Sequence, residues 1–278
     1  MIDRLKKLAA EKAVEEISSG MIVGLGSGST VQFALEKISE KIKSGELKNI
    51  RCVPSSNHTE AEANRLGIPI TTFEELFISE NVKSETADER KEIEQQKIIG
   101  DENALQVLHL PSRVSRFTPI DLTIDGADEV SICHPELAEG DHVINLIKGG
   151  GGALLREKVL AQASKKNIII VDESKLSKHL GTNWHVPIEV IQFAASVEQK
   201  YLESLGAKVA RRKNADGTDY LTDENNFILE AHFGEIKNPE GLSSLLNDRA
   251  GIVENGLFIR LATKIICAKN DGVIKIFD

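Results

Sequence analysis

The sequence predicts an α/β protein, with a Rossmann-like, mostly parallel sheet domain and a second, smaller α+β domain of ferredoxin-like form. Three observations carry the prediction. Short apolar runs stop repeatedly at glycine- or acid-rich turns that open helices, the rhythm of a doubly wound sheet. One run, Asn167-Ile168-Ile169-Ile170-Val171, is almost wholly apolar, as in a parallel strand covered on both faces. From about Trp184 the pattern changes to strand, helix, strand, strand, helix, which suits a small α+β layer. The expected division is residues 1–183 with 254–278 for the Rossmann-like catalytic domain and 184–253 for the smaller one. A charged insertion is expected at about 79–116.

Taken in order, Leu5, Leu8, Ala9, Val14 and Ile17 recur at helical spacing, and Ser18-Ser19-Gly20 closes that helix. The strand Met21–Leu25 runs into Gly26-Ser27-Gly28-Ser29-Thr30, and Val31 to Ile42 resumes as a helix. This is neither the dinucleotide fingerprint, since Ser29 stands where the third glycine belongs, nor a Walker A loop, since no Gly-Lys-Ser/Thr follows. What remains is an anion loop with three hydroxyls. A second unit follows, with strand Ile50–Val53, a helix from Thr59 to Leu66 ended by Gly67, and Ile68-Pro69-Ile70 as the next short strand. Glu85 to Lys97 is dense in charge and has little apolar periodicity, so the stretch reads as a solvated surface excursion.

The strand Asp121–Ile124 delivers Asp125-Gly126-Ala127-Asp128-Glu129 at its end. Such an acidic turn can bind metal, cap a helix or exchange protons with a polyol. Metal is disfavoured, because no histidine or further acidic cluster stands at ligand spacing and His134 and His142 lie in a loop without a partner motif. Later strands are expected at Val186–Val190, Gly206–Val209 and Phe227–Ala231, with helices at Ser196–Leu205 and Pro239–Asn247. The runs Gly256–Ile259 and Lys264–Cys267 are expected to return to the main sheet.

The most informative stretch is Lys148 to Lys158. Four glycines, Gly149, Gly150, Gly151 and Gly152, allow positive φ and close approach to a ligand. A run of helix formers follows, so unpaired amides and the positive helix end can face an oxyanion, with Lys148 adding a full charge. Leu154, Glu157, Leu160 and Ala161 share one helical face. A carboxylate on an apolar face is costly to bury, which would push the Glu157 pKa toward the working range of a general base. The bland alternative is that Glu157 snorkels or pairs with Arg156 or Lys158. After the Ile168–Val171 strand, Asp172-Glu173-Ser174-Lys175 makes a further strand-end turn.

Composition narrows the classes. A net charge of -9 argues against an electrostatic nucleic-acid binder. Cys52, Cys133 and Cys267 are far apart, which fits a reducing compartment rather than a disulfide framework. No apolar run approaches the ~18 residues of a membrane span. The N-terminal stretch carries Asp3, Glu11, Glu15 and Glu16, unlike a signal or transit peptide. A cytoplasmic protein without membrane contact is expected.

The loops 24–30, 125–129, 148–158 and 172–175 each end a predicted strand, and in this order they closely resemble type A ribose-5-phosphate isomerase. The likeness covers nearly the whole chain apart from the charged segment. One departure is Ser27, where the family often has threonine; a hydroxyl is kept. The resemblance implies an aldose–ketose isomerase of the non-oxidative pentose phosphate pathway, without metal or cofactor, assembled as a homodimer or homotetramer. It implies Glu157 as the base moving a proton between C1 and C2, with Asp125, Asp128 and Lys148 as the other catalytic groups. It implies Ser27, Gly28, Ser29, Thr30, Gly126, Ala127, Gly149, Gly150, Gly151 and Lys175 as substrate-binding residues. The chemistry suits these residues: a carboxylate shuttles the proton and aimed donors stabilise an enediolate. Which of Asp125 and Asp128 serves ring opening is left open. Ser27 to Thr30 and Lys175 are the candidates for phosphate. Three rivals use similar parts: a CoA-transferase with a covalent glutamate, an amino-sugar phosphate deaminase, and a non-catalytic sugar-phosphate sensor. Lys148, the glycine run and Glu157 together favour the isomerase.

Overall fold

The computed structural model describes residues 2–81, 117–133 and 143–278. Apart from residues 79–81, which finish a helix, the charged segment lies outside the described residues, as do Glu85 to Lys97, His134 and His142.

The main sheet has six strands: β1 (Ile22–Leu25), β2 (Arg51–Pro54), β3 (Ile120–Asp125), β6 (Ser164–Asp172), β13 (Lys264–Ala268) and β14 (Ile274–Phe277). Their order is β14-β13-β6-β3-β1-β2, parallel except for the β13–β14 edge pair. The chain steps from β1 outward to β2, then returns to place β3 on the other side of β1. That reversal puts a crevice at the carboxyl ends of β1 and β3. Alternate residues of β6 serve opposite faces, as the period of two requires. Ile168 and Ile170 pack into the core formed with α1 (Ile2–Val14), α2 (Ser29–Lys43) and α3 (Asn57–Leu66). Ile169 and Val171 pack on the opposite face with Val130, Leu146 and Phe258.

Those last residues belong to a second sheet, of order β12-β5-β4-β7. It comprises β4 (Glu129–Cys133), β5 (Val143–Ile147), the two-residue β7 (Leu176–Ser177) and β12 (Leu257–Ile259). Two sequence expectations are corrected here. Lys264–Ala268 does return to the main sheet, but Leu257–Ile259 pairs antiparallel with β5 instead. Ile68–Ile70 forms only an isolated bridge from Ile70 to Cys52, because Pro69 has no N–H with which to extend the ladder. The helix after β2 ends on Gly67 in the left-handed conformation and is followed by α4 (Phe73–Asn81).

The smaller domain is a four-stranded antiparallel sheet of order β11-β8-β10-β9. In chain order it runs β8 (Val186–Val190), α6 (Ala195–Ser204), β9 (Lys208–Arg211), β10 (Phe227–His232), α7 (Pro239–Asn247) and β11 (Ile252–Asn255). Helix α5 (Leu154–Gln162), between β5 and β6, buries Leu154, Glu157, Lys158, Leu160 and Ala161. The βαββαβ order and the 4-1-3-2 strand arrangement are those of the ferredoxin-like layer read from the sequence.

Candidate active site

Four chain segments converge on one cleft. Strand β1 ends at Leu25, and Gly26 follows so close to β3 that a Cβ there would lie 2.1 Å from Asp125 Oδ1. Only glycine permits this approach. The Ser27 and Gly126 amides donate to Asp125 Oδ1, at 3.2 and 2.7 Å. Gly28, at φ 94°, then turns the chain into α2, so Ser29 and Thr30 stand at the positive end of a 15-residue helix with no acid in its first turn.

Strand β5 delivers Lys148, which is fixed from behind by Gly256, the residue between β11 and β12: the Lys148 amide donates to Gly256 O at 2.9 Å. A Cβ on Gly256 would lie 2.5 Å from Lys148 O, so this contact too needs glycine. The Lys148 Nζ donates to Gly126 O at 2.7 Å and sits 3.0 Å from Asp125 Oδ2 and 3.2 Å from Glu157 Oε2. Its ammonium lies over the fully buried ring of Phe258, 5.4 Å from the centroid. One cation is thus held between two buried carboxylates. Burial pushes Asp125 up to about 7, with Lys148 pulling against the rise and Glu157 adding to it. Burial works to lower the Lys148 pKa, but Asp125 and Glu157 outweigh it and hold the ammonium above the usual lysine range.

Glu157 occupies the first turn of α5, buried to 3% exposure. It pairs with neither chain neighbour. Arg156 turns outward to Glu224 at 2.6 Å, and Lys158 pairs with Glu254 at 2.7 Å. Glu157 Oε1 accepts from the Ser27 hydroxyl, while buried Oε2 has no hydrogen-bond partner among the described residues. Asp128 follows the Gly126-Ala127 step. Its Oδ2 accepts from the Gly150 amide at 2.7 Å, and a Cβ on Gly150 would lie 2.5 Å from its Oδ1.

Ser27 to Thr30, Gly126, Ala127, Asp128, Lys148, Gly149 to Gly151, Glu157 and Lys175 all line the cleft. Asp125 does not; it stands behind Lys148 with both oxygens engaged. The structure adds Lys6, which sequence reading assigned only to an amphipathic helix. Its Nζ donates to Ser29 Oγ at 2.8 Å, so Lys6 and the α2 terminus bring positive charge together, and Lys175, whose ammonium lies over the Trp184 ring, lines the same cleft. Lys6 could have been suspected only from its place on the polar side of a helix whose neighbour begins with the anion loop. Among the described residues no three His, Cys, Asp or Glu side chains come together in a way that could hold a metal ion.

Residues 100–272 match the family model for ribose 5-phosphate isomerase A (phosphoriboisomerase A). Ribose-5-phosphate isomerase A of Desulfatibacillum aliphaticivorans is 46% identical over 98% of this chain and 96% of its own length. That of Chloroflexus aurantiacus is 40% identical over 96% of this chain and 91% of its own. Among solved structures, a D-ribose-5-phosphate isomerase in complex with phospho-erythronic acid superposes with TM-score 0.78 at 30% identity, covering 100% of this chain and 99% of the other. Ribose 5-phosphate isomerase from Plasmodium falciparum gives 0.77 at 33% identity, with coverage of 100% and 99%.

Proposed function

Because the chain belongs to the ribose 5-phosphate isomerase A family and is an isomerase, we propose that it interconverts D-ribose 5-phosphate and D-ribulose 5-phosphate through an enediolate, with Glu157 as the general base. The observation that carries the assignment of the base is Glu157 Oε2: a buried carboxylate oxygen at the cleft, without a hydrogen-bond donor other than an ammonium beside it. With only the Lys148 ammonium beside it at 3.2 Å, Oε2 keeps lone-pair capacity for a proton at the cleft.

The phosphate docks among Lys6, Ser29 and Thr30, where an ammonium group meets a helix N-terminus, with Lys175 a further cation lining the cleft. This extends the sugar toward Glu157 and Lys148. After ring opening, Glu157 removes the proton from C2, and the electron pair moves to give an enediolate whose O1 is negative. Lys148, already charged, stabilises that oxygen with the glycine-loop amides. Asp128, the acid that reaches the cleft, exchanges protons with the sugar hydroxyls, moving one from O2 to O1. Glu157 then returns its proton to C1, so the reaction is balanced with the enzyme unchanged. Asp125 orients Lys148 rather than touching substrate, since both its oxygens are occupied. The pathway implied is the non-oxidative pentose phosphate route, and the molecular setting a homo-oligomer in the cytoplasm. The division proposed keeps the first boundary at residues 183–184 and moves the second from 253–254 to just past Asn255, because β11 belongs whole to the smaller sheet.

The test is Glu157→Gln, which keeps shape and packing but cannot accept a proton. Turnover of ribose 5-phosphate, followed by ribulose 5-phosphate formation, is expected to fall by about 10²–10⁴ with little change in KM. Exchange of the C2 hydrogen with deuterated water falls in parallel. Near-normal turnover in the variant would remove Glu157 as the base.

A further inference from the structure

The smaller domain reaches over the glycine loop with two side chains. Arg212 follows β9, and Tyr220 lies in the connection to β10; backbone bonds from Arg212 to Ile228 O and from Tyr220 to Arg212 O hold both in place. The Arg212 Nε donates to Glu230 Oε1 at 2.8 Å, and its guanidinium lies over the Tyr220 ring, 5.5 Å from the centroid. From there Arg212 Nη1 reaches Gly149 O at 3.4 Å, and the Tyr220 hydroxyl donates to Gly151 O at 3.2 Å. Gly152, at φ 91°, admits the tyrosine: a Cβ there would lie 2.2 Å from the hydroxyl.

In a trans peptide the C=O and the following N–H point in opposite directions, so holding one aims the other. The Gly149 carbonyl is held by Arg212 and by the Gly152 amide at 2.9 Å, which sends the Gly150 N–H the other way, onto Asp128 Oδ2. The Gly151 carbonyl is held by Tyr220. The peptide between these two planes carries the Gly151 N–H. That group has no acceptor among the described residues, and Gly151 lines the cleft.

We propose that Arg212 and Tyr220 are positioning residues: they fix the peptide planes on either side of Gly151 so that its N–H donates to the oxygen that becomes negative in the reaction. The inference rests on the isomerase reading above and adds the source of the loop's rigidity. It makes the smaller domain part of the catalytic apparatus, acting through backbone it does not itself contain. Four unsupported glycines would otherwise sample many conformations, and a donor helps in proportion to its aim.

Tyr220→Phe tests this, because it keeps the ring against Arg212 and Gly152 and removes one hydroxyl. Expected is a fall in kcat of about 3- to 10-fold, the scale of one neutral hydrogen bond, with KM for ribose 5-phosphate nearly unchanged. Phospho-erythronate, whose carboxylate imitates the enediolate oxygens, should lose affinity by the same factor as kcat/KM. Inhibition by inorganic phosphate should not move, since that end of the cleft is untouched. Arg212→Lys, which keeps a cation for Glu230 but loses the fork, should follow the same correlation with a loss of about 10-fold or more. Unchanged kcat and phospho-erythronate affinity in Tyr220→Phe would overturn the inference and leave Glu157 in its role. Equal weakening of phosphate and phospho-erythronate would overturn it as well, because it marks general loosening. A wild-type protein without ribose 5-phosphate turnover, or a fully active Glu157→Gln, sinks the isomerase reading and this inference together.

Discussion

Lys148→Met is the most demanding perturbation of the site. It keeps an unbranched apolar side chain one atom shorter and deletes the charge held between Asp125 and Glu157 and over the Phe258 ring. Two losses should appear together. Removing one member of a buried ionic cluster leaves uncompensated charge and costs about 3–5 kcal/mol of stability. Removing one donor aimed at the enediolate oxygen costs about 10²–10³ in kcat. The stability loss depends on pH, and its sign is fixed by the carboxylates. Asp125 already has a folded pKa of about 7 against an ordinary 3.8, so its contribution is present below about 3.8 and is lost as pH rises through about 7. Without Lys148, which pulls against the rise, the Asp125 carboxyl goes up further and that loss extends to higher pH. The deficit against wild type should therefore be small at pH 5 and grow toward pH 8 in urea titrations. Turnover is best measured near pH 6, where the variant is still folded, by the conversion of ribose 5-phosphate. A kcat within about tenfold of wild type there would refute the oxyanion role of Lys148. A stability deficit independent of pH would refute the coupling of the three groups.

Three further outcomes follow from the same geometry. Gly150→Ala would press a methyl against Asp128, 2.5 Å from Oδ1, and should lower kcat by about tenfold or more while leaving the melting temperature within a few degrees. Lys6→Ala should raise KM for ribose 5-phosphate and weaken inhibition by inorganic phosphate, with a smaller change in kcat, because its Nζ sits beside Ser29 rather than Glu157. Prolonged treatment with EDTA should leave turnover unchanged, since Asp125 and Asp128 are engaged by Lys148 and by loop amides; loss of activity restored by one divalent ion would overturn their assigned roles.

What could be read from the sequence was what chemistry writes locally. Gly26 and Gly150 announce close approaches because no other residue could stand there, and the apolar neighbours of Glu157 on α5 announce its burial. The smaller domain was legible for a similar reason, since its elements alternate cleanly between period two and period 3.6. The second sheet was not legible. Strands of two to five residues carry little periodicity, and β12 pairs with a strand more than a hundred residues earlier. Lys6 was hidden because the apolar face of α1 already explained that helix, and nothing local marks a lysine on its polar face as facing Ser29.

Asp125 and Asp128 mark the boundary between the two kinds of information. Their spacing and the Gly-Ala step between them predicted an acidic turn at a strand end, and both lie where expected. Their division of labour depends on which groups arrive from elsewhere: Ser27 from β1, Lys148 from β5, Gly150 from the loop beyond. Those arrivals saturate Asp125 and leave Asp128 facing the cleft, so in the proposed mechanism two residues of identical chemistry take different roles, one as support and one as proton carrier. The distinction is made by the topological reversal at β1 and β3, which creates the crevice, and by Gly256, which sets the depth of Lys148 within it. It follows that the roles should separate experimentally. Asp128→Asn should impair ring opening and proton exchange at the sugar while leaving the stability profile near wild type. Asp125→Asn should flatten the fall of stability between about pH 4 and 7, because the carboxylate responsible for it is gone. The reverse pattern would mean that Asp125, not Asp128, meets the substrate.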